Sequence, residues 1–72
     1  MNVRNEIKAI IVREGLSMGE VVRRLSTLHD WSGSIPNFSS KLKRGSLRYS
    51  EALELADVLG YEIVWKKKSV PP

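Results

Sequence analysis

The stretch SIPNFSSKLKRGS, residues 34–46, decides the fold of this chain because it is too polar for a core helix and too regular for a loop. At about 100° per residue, Ile35, Phe38 and Leu42 fall on one side of a helix. The opposite side carries a polar and cationic set: Asn37, Ser40, Lys41 and Arg44. We therefore expect a helix that buries one face in a core and offers the other to an anion or a base edge.

The net positive charge of the chain is concentrated around this helix. The 12 basic and 8 acidic side chains give +4, and residues 31–50 contain four bases and no acid. These bases are Lys41, Lys43, Arg44 and Arg48. Such a local excess attracts phosphates and speeds their encounter. A merely solvated helix face is the alternative.

Two helices are predicted before this segment. The first spans about residues 2–14 and ends at Gly15, and the second begins at Ser17, which forms a capping box with Glu20. Their apolar stripes are Val3, Ile7, Ile10 and Ile11 in the first helix, and Val21, Val22, Leu25 and Leu28 in the second. Residues 29–34, HDWSGS, have the composition of a turn, with Trp31 expected to pack against the core.

A third and a fourth helix complete the predicted bundle. Ser34 is the expected N-cap of the third helix, Pro36 lies in its first turn and Gly45 ends it. The fourth helix is predicted over about residues 47–59, with Ser46 as a potential cap and Gly60 as the C-cap. Its expected apolar side comprises Ala52, Leu55, Ala56 and Leu59, flanked by Leu53 and Val58.

The C-terminal segment changes period. Tyr61, Ile63 and Trp65 alternate with other side chains, which is typical of a β-strand. A single strand has no partner for its backbone, so residues 61–66 either pair with the same strand of a second protomer or pack as an extended arm. We favour the homodimer. Residues 67–72, KKSVPP, are predicted to be a disordered basic tail.

Length and composition limit the protein class. The 72 residues suit one small domain, here residues 1–60, and the lack of cysteine excludes disulfides and thiolate metal sites. The longest aliphatic run, residues 9–12, is too short for a membrane span or a signal peptide, so we expect a soluble cytoplasmic protein. The fold class is therefore predicted as all-α: a compact bundle of four short helices with a C-terminal β-strand or extended arm.

Three segments in this order resemble the Cro and λ-repressor-like helix-turn-helix family, also called the xenobiotic-response-element family. They are GLSMGEVVRRL (15–25), SSKLKRGS (39–46) and YSEALELADVLGY (49–61), and the resemblance covers residues 5–61. It departs from the family at an expanded turn, residues 27–34, and at Val22, where the family favours alanine. The resemblance implies a sequence-specific double-stranded DNA-binding regulator, a small repressor from a phage or mobile element.

By this resemblance, the second helix crosses the phosphate backbone and the third enters the major groove. The implied base contacts are Asn37, Ser40, Lys41 and Arg44, and the implied backbone contacts are Ser17, Ser39, Lys43 and Arg48. The expected dimer or partner contacts are Tyr61, Ile63 and Trp65. No cofactor, small-molecule substrate or membrane partner is expected.

The remaining special residues favour structural roles. His29 is the only histidine, which is too few for a zinc site or a catalytic constellation, so we predict no metal and no enzyme. The acids Glu51, Glu54 and Asp57 are expected on the exposed side of the fourth helix. The alternative function is a helical protein-interaction module or antitoxin-like adaptor that binds a partner through residues 61–65.

Overall fold

Four helices form the domain in the computed structural model, which describes residues 2–70. They are α1 (Val3–Arg13), α2 (Met18–His29), α3 (Ile35–Arg44) and α4 (Tyr49–Leu59). All four predicted helices are confirmed, and the bounds of the first three agree with the predicted ones within one residue. None of the helices of residues 2–70 is long and apolar enough to cross a membrane.

Side-chain caps and left-handed residues fix the helix ends. Ser17 Oγ accepts a hydrogen bond from the Glu20 N–H at 3.1 Å, and Ser34 Oγ accepts one from the Asn37 N–H at 3.3 Å. At Gly45, φ is 65°, a conformation that costs glycine little because it has no Cβ. The polar residues named as caps of α2 and α3 therefore take those places.

The start of α4 differs from the prediction. Ser46 is not its cap, because the Ser46 N–H donates to the Lys41 carbonyl and belongs to the turn that closes α3. Instead Arg48 occupies the N-cap position, where its backbone N–H donates to Glu51 Oε1 at 2.8 Å. The Glu51 carboxylate, inside α4, therefore makes the capping contact that was expected from the Ser46 hydroxyl before the helix.

One hydrophobic core joins the four helices. Its buried side chains are Ile11, Val21, Val22, Leu25, Phe38, Leu42, Leu55, Val58 and Leu59. In α2 and α3 most of the predicted apolar stripe is buried. Leu28 and Ile35 are exceptions, at 64% and 46% exposed.

The buried side of α4 is rotated from the predicted one. Val58 is buried, whereas Ala52 and Ala56 are only half-buried and Leu53 is exposed. The alanine side of α4 instead lines an apolar groove of about 210 Å³ together with Ile7 and Ile10 of α1. Val3, the first residue of the predicted apolar stripe of α1, is exposed and does not line this groove.

The segment after α4, residues 61–66, is named the arm. It has no β-strand, and no strand occurs elsewhere in residues 2–70, so the predicted strand is not formed within the single chain. The arm still contacts the body: Tyr61 Oη donates to Glu14 Oε2 at 2.9 Å, and Trp65 Nε1 donates to Tyr49 Oη at 2.8 Å. The extended-arm alternative agrees with this arrangement. Residues 71 and 72 of the predicted tail lie outside the described part of the chain.

Candidate nucleic-acid interface

Helix α3 has one buried and one exposed face. Phe38 and Leu42 are 3% and 2% exposed and pack into the core. The opposite surface carries exposed side chains without an acid: Asn37, Ser40, Lys43 and Arg44. The two-sided character predicted from the sequence is therefore present, with short polar groups and free cations on the outer face.

Asn37 is oriented by the turn before α3. Its side-chain Nδ2 donates to Ser32 Oγ at 3.4 Å, while Ser32 Oγ also accepts the Ser34 N–H at 3.3 Å. These contacts are long and exposed, so they can be exchanged at little cost. The Asn37 side-chain amide therefore lies at the surface, and its long contact with Ser32 leaves it able to bind an external group.

Lys41 lies at the border of the two faces, one residue before the buried Leu42. Its Nζ forms an ion pair with the Glu51 carboxylate of α4 and lies 5.1 Å from the centroid of the Trp31 ring. The Lys41 and Glu51 side chains are only 29% and 20% exposed. Lys41 must leave these partners before it can reach an external ligand, which the helical wheel alone did not indicate.

Glu51 stabilises this contact in its charged form. Its pKa is lowered from the ordinary value of 4.5, first by the hydrogen bond from Lys41 and then by the one from the Arg48 backbone N–H. The same carboxylate therefore caps α4 and ties α4 to α3. The expectation that Glu51 is merely a solvent-facing acid is wrong.

The turn between α2 and α3, residues 30–34, is anchored by an aromatic side chain. Trp31 Nε1 donates to Glu54 Oε1 of α4 at 2.7 Å, and its ring meets the edge of Phe38 at a centroid distance of 6.3 Å. The left-handed residue at the end of α2 is Asp30, with φ 61°. Trp31 packs against the core as expected, so the expanded turn is fixed.

The acids of α4 form a row along one side of the helix: Glu51, Glu54 and Asp57. Besides the two contacts above, Asp57 Oδ2 lies 2.9 Å from His29 Nε2. His29 Nδ1 also lies 3.7 Å from Glu54 Oε2, so the three acids together contact α2, the turn and α3. Their spacing of three residues places them on one helix face, which is a sequence signal that could have indicated a shared contact surface.

The first turns of α2 and α3 lie side by side. A Cβ built on Gly19 would be 3.6 Å from Cδ1 of Ile35. The free backbone amides at the start of α2, capped by Ser17, therefore lie near the start of α3. Ile35 therefore contacts α2 although nearly half of its side chain is exposed.

The other predicted contact residues are spread around α3. Lys43 is exposed on the outer face, and Arg48 is exposed at the start of α4. Ser39 is half-buried, because it lies on the flank next to Phe38. Among residues 2–70, Lys43, Arg44 and Arg48 make no side-chain ion pair within 4.0 Å. Their charges are therefore available to a partner.

Residues 31–50 contain no acid, but two acids that flank this segment lie close to the outer face of α3 in the fold. A shallow groove of about 490 Å³ runs between α3 and the turn, and both Asn37 and Arg44 line it. Asp30 and Glu51 line the same groove. Negative charge therefore borders one edge of the exposed face, and the Lys43 side is the more positive one.

No family model, curated protein or solved structure matches this chain.

Proposed function

We propose that the protein is a sequence-specific double-stranded DNA-binding regulator of the helix-turn-helix type, with α3 in the major groove. The observation that carries this proposal is the outer face of α3, where Asn37, Ser40, Lys43 and Arg44 are exposed without an acid among them. A helix that buries one face and presents amide, hydroxyl and cationic groups on the other fits the width and chemistry of that groove.

The neighbouring elements support the same orientation. The start of α2 lies beside the start of α3, so the Ser17 end of α2 can meet a phosphate through its free amides while α3 lies in the groove. Trp31 and Glu54 fix the turn that joins the two helices. The pair is therefore held in one geometry before any ligand arrives.

The side chains of this surface fall into two groups, those suited to base edges and those suited to phosphates. Asn37 and Arg44 can each make two hydrogen bonds to one base, Asn37 to adenine and Arg44 to guanine. Lys43 and Arg48 are suited to phosphates, with Ser39 and Ser40 adding weaker contacts. Lys41 is assigned mainly a positioning role, because Glu51 holds its charge. Transcriptional repression is the biological role we infer for such a protein.

The first test is selection from a pool of random duplex DNA, followed by sequencing of the retained fraction. Enrichment of a short motif, with affinity that falls steeply as salt rises, supports the proposal. Failure to enrich any motif at low or moderate salt contradicts it.

The second test uses matched charge variants on the enriched duplex. Lys43→Ala should lower the magnitude of the salt slope of log K by about 0.9, since Lys43 is assigned to a phosphate and each phosphate contact contributes about 0.9. Lys8→Ala removes one exposed lysine from α1 and should leave affinity almost unchanged. Equal losses for the two sites contradict α3 as the interface. Circular dichroism checks that each variant is folded.

A further inference from the structure

The side chain of Lys41 lies between the two proposed base-contacting residues of α3. Asn37 precedes it by four residues and Arg44 follows it by three, so the three side chains share one side of the helix. The same three side chains line the shallow groove between α3 and the turn. By its place on the helix, Lys41 therefore belongs to the surface that would face DNA.

The fold holds the Lys41 ammonium group against the protein. Its Nζ is ion-paired with Oε2 of Glu51 and lies 5.1 Å from the centroid of the Trp31 ring. Glu51 is itself fixed, because its other oxygen, Oε1, accepts the Arg48 N–H at 2.8 Å. One carboxylate thus caps α4 with one oxygen and holds the Lys41 charge with the other.

We propose that Glu51 limits the affinity of this protein for DNA by holding Lys41 away from the phosphates. This inference rests on the proposed function, since it assigns Glu51 a role in DNA binding by α3. In that role Glu51 is a positioning residue, which acts through Lys41 and does not itself contact the DNA.

Two anions compete for the Lys41 charge when DNA binds. The carboxylate is already in place, and because the Lys41 and Glu51 side chains are only 29% and 20% exposed, salt screens this pair less than a fully exposed one. A phosphate would have to replace both the ion pair and the contact with Trp31 to form one new ionic contact. The exchange therefore gains little, and Lys41 stays with Glu51.

The consequence is a smaller sequence-independent contribution to binding. Phosphate contacts add affinity for duplexes of every sequence, whereas base contacts distinguish one sequence from another. With Lys41 withheld from the phosphates, a larger share of the binding comes from Asn37 and Arg44. Glu51 thus lowers the total affinity and raises the fraction of it that depends on sequence.

The test compares Glu51→Gln with the native chain on a pool of random-sequence duplex DNA, over a series of salt concentrations. The Gln amide oxygen can still accept the Arg48 N–H, so α4 keeps its cap, which circular dichroism checks. The released Lys41 should add one phosphate contact, so the magnitude of the salt slope of log K should rise by about 0.9. At about 0.1 M salt the variant should bind roughly tenfold more tightly.

Two control variants separate the release of Lys41 from the simple loss of a negative charge. Glu6→Gln removes an exposed acid from α1 and should leave the salt slope nearly unchanged. Lys41→Met keeps the apolar stem beside Trp31 but has no ammonium group, so in this background Glu51→Gln should no longer raise the slope. A rise that persists without Lys41 reflects weaker repulsion alone and contradicts the proposal.

The contact between Lys41 and Glu51 can also be measured without DNA. Acylation of the lysine amines, mapped by peptide mass spectrometry, should modify Lys41 more slowly than Lys43 in the native chain. Lys43 is exposed and makes no side-chain ion pair within 4.0 Å in the described part of the chain. In Glu51→Gln the rate at Lys41 should approach the rate at Lys43. Equal rates in the native chain would show that Glu51 does not hold Lys41.

Failure of this inference differs from failure of the proposed function. A native chain that selects a DNA motif, while Glu51→Gln binds DNA no more tightly, overturns the role of Glu51 alone. Retention of the random pool without enrichment of any motif contradicts sequence-specific recognition, although a steeper slope for Glu51→Gln still supports the role of Glu51. A native chain that retains no DNA at low salt overturns both.

Discussion

Replacing Glu51 by Gln separates the charge of this side chain from its hydrogen-bonding role. The amide oxygen of Gln can still accept the Arg48 N–H and cap α4, but it cannot form the ion pair with Lys41. The pair is about one-quarter exposed, so its loss should cost more than an exposed ion pair, about 1 kcal/mol. Glu51→Ala removes both contacts and should cost about 2 kcal/mol.

The stability difference between the native chain and Glu51→Gln should depend on pH, in a direction that the pKa of Glu51 determines. Because the pKa of Glu51 is lowered from 4.5 in the folded protein, its contribution to stability is present above that value. The contribution is lost as pH falls through the lowered pKa, where the carboxyl takes up a proton and resembles Gln. The stability gap between the native chain and Glu51→Gln should therefore be full at pH 7 and close in acid.

Urea unfolding followed by circular dichroism measures this gap at a series of pH values. At neutral pH the variant should also melt about 4–8 °C below the native chain for each 1 kcal/mol lost. Other carboxylates titrate in both proteins and cancel in the difference. Equal stability at pH 7, or a gap that stays constant into acid, would refute the structural role assigned to Glu51.

Three further predictions concern the packing and the turns. Leu25→Ala should cost about 2–5 kcal/mol in urea unfolding because Leu25 is fully buried, whereas Leu28→Ala on the same helix should change stability by less than about 0.5 kcal/mol. Similar losses for the two variants would contradict the exposed position of Leu28. Trp31→Phe keeps a ring against the core but loses the bond to Glu54, so about 1 kcal/mol of unfolding free energy should disappear, and native-like stability would contradict the anchor. Gly45→Ala meets open space but keeps φ at 65°, so thermal unfolding should show a loss of about 1 kcal/mol, and an unchanged melting temperature would contradict backbone strain as the cause.

Local features of the fold were predictable because their causes are local. Ser17 and Ser34 cap the helices that follow them, and Gly45 ends α3, since each effect depends on residues within one turn. The burial of Phe38 and Leu42 follows from helical period alone. The candidate site was predictable only in outline, as an exposed polar and cationic face on α3.

Features that depend on how elements pack were missed. Leu28 continues the apolar spacing of the buried residues of α2, but its side chain is 64% exposed in the packed structure. The pairing of Lys41 with Glu51 joins α3 to α4, and the meeting of Trp31 with Glu54 joins the turn to α4. Helical period fixes which residues share a face, but it does not fix which face of the next helix lies opposite.

The sequence by itself determined four helices, most of their ends and a polar, cationic outer face on α3, because backbone capping and side-chain period act over a few residues. Only the tertiary structure decided which of those polar side chains are free. Packing of α4 against the turn and α3 brings an acid to Lys41 and leaves Lys43 and Arg44 without ion pairs in the described chain. The sequence thus shows which side chains are charged, but whether a charge is free to bind a partner depends on which groups the fold brings within a few ångströms of it.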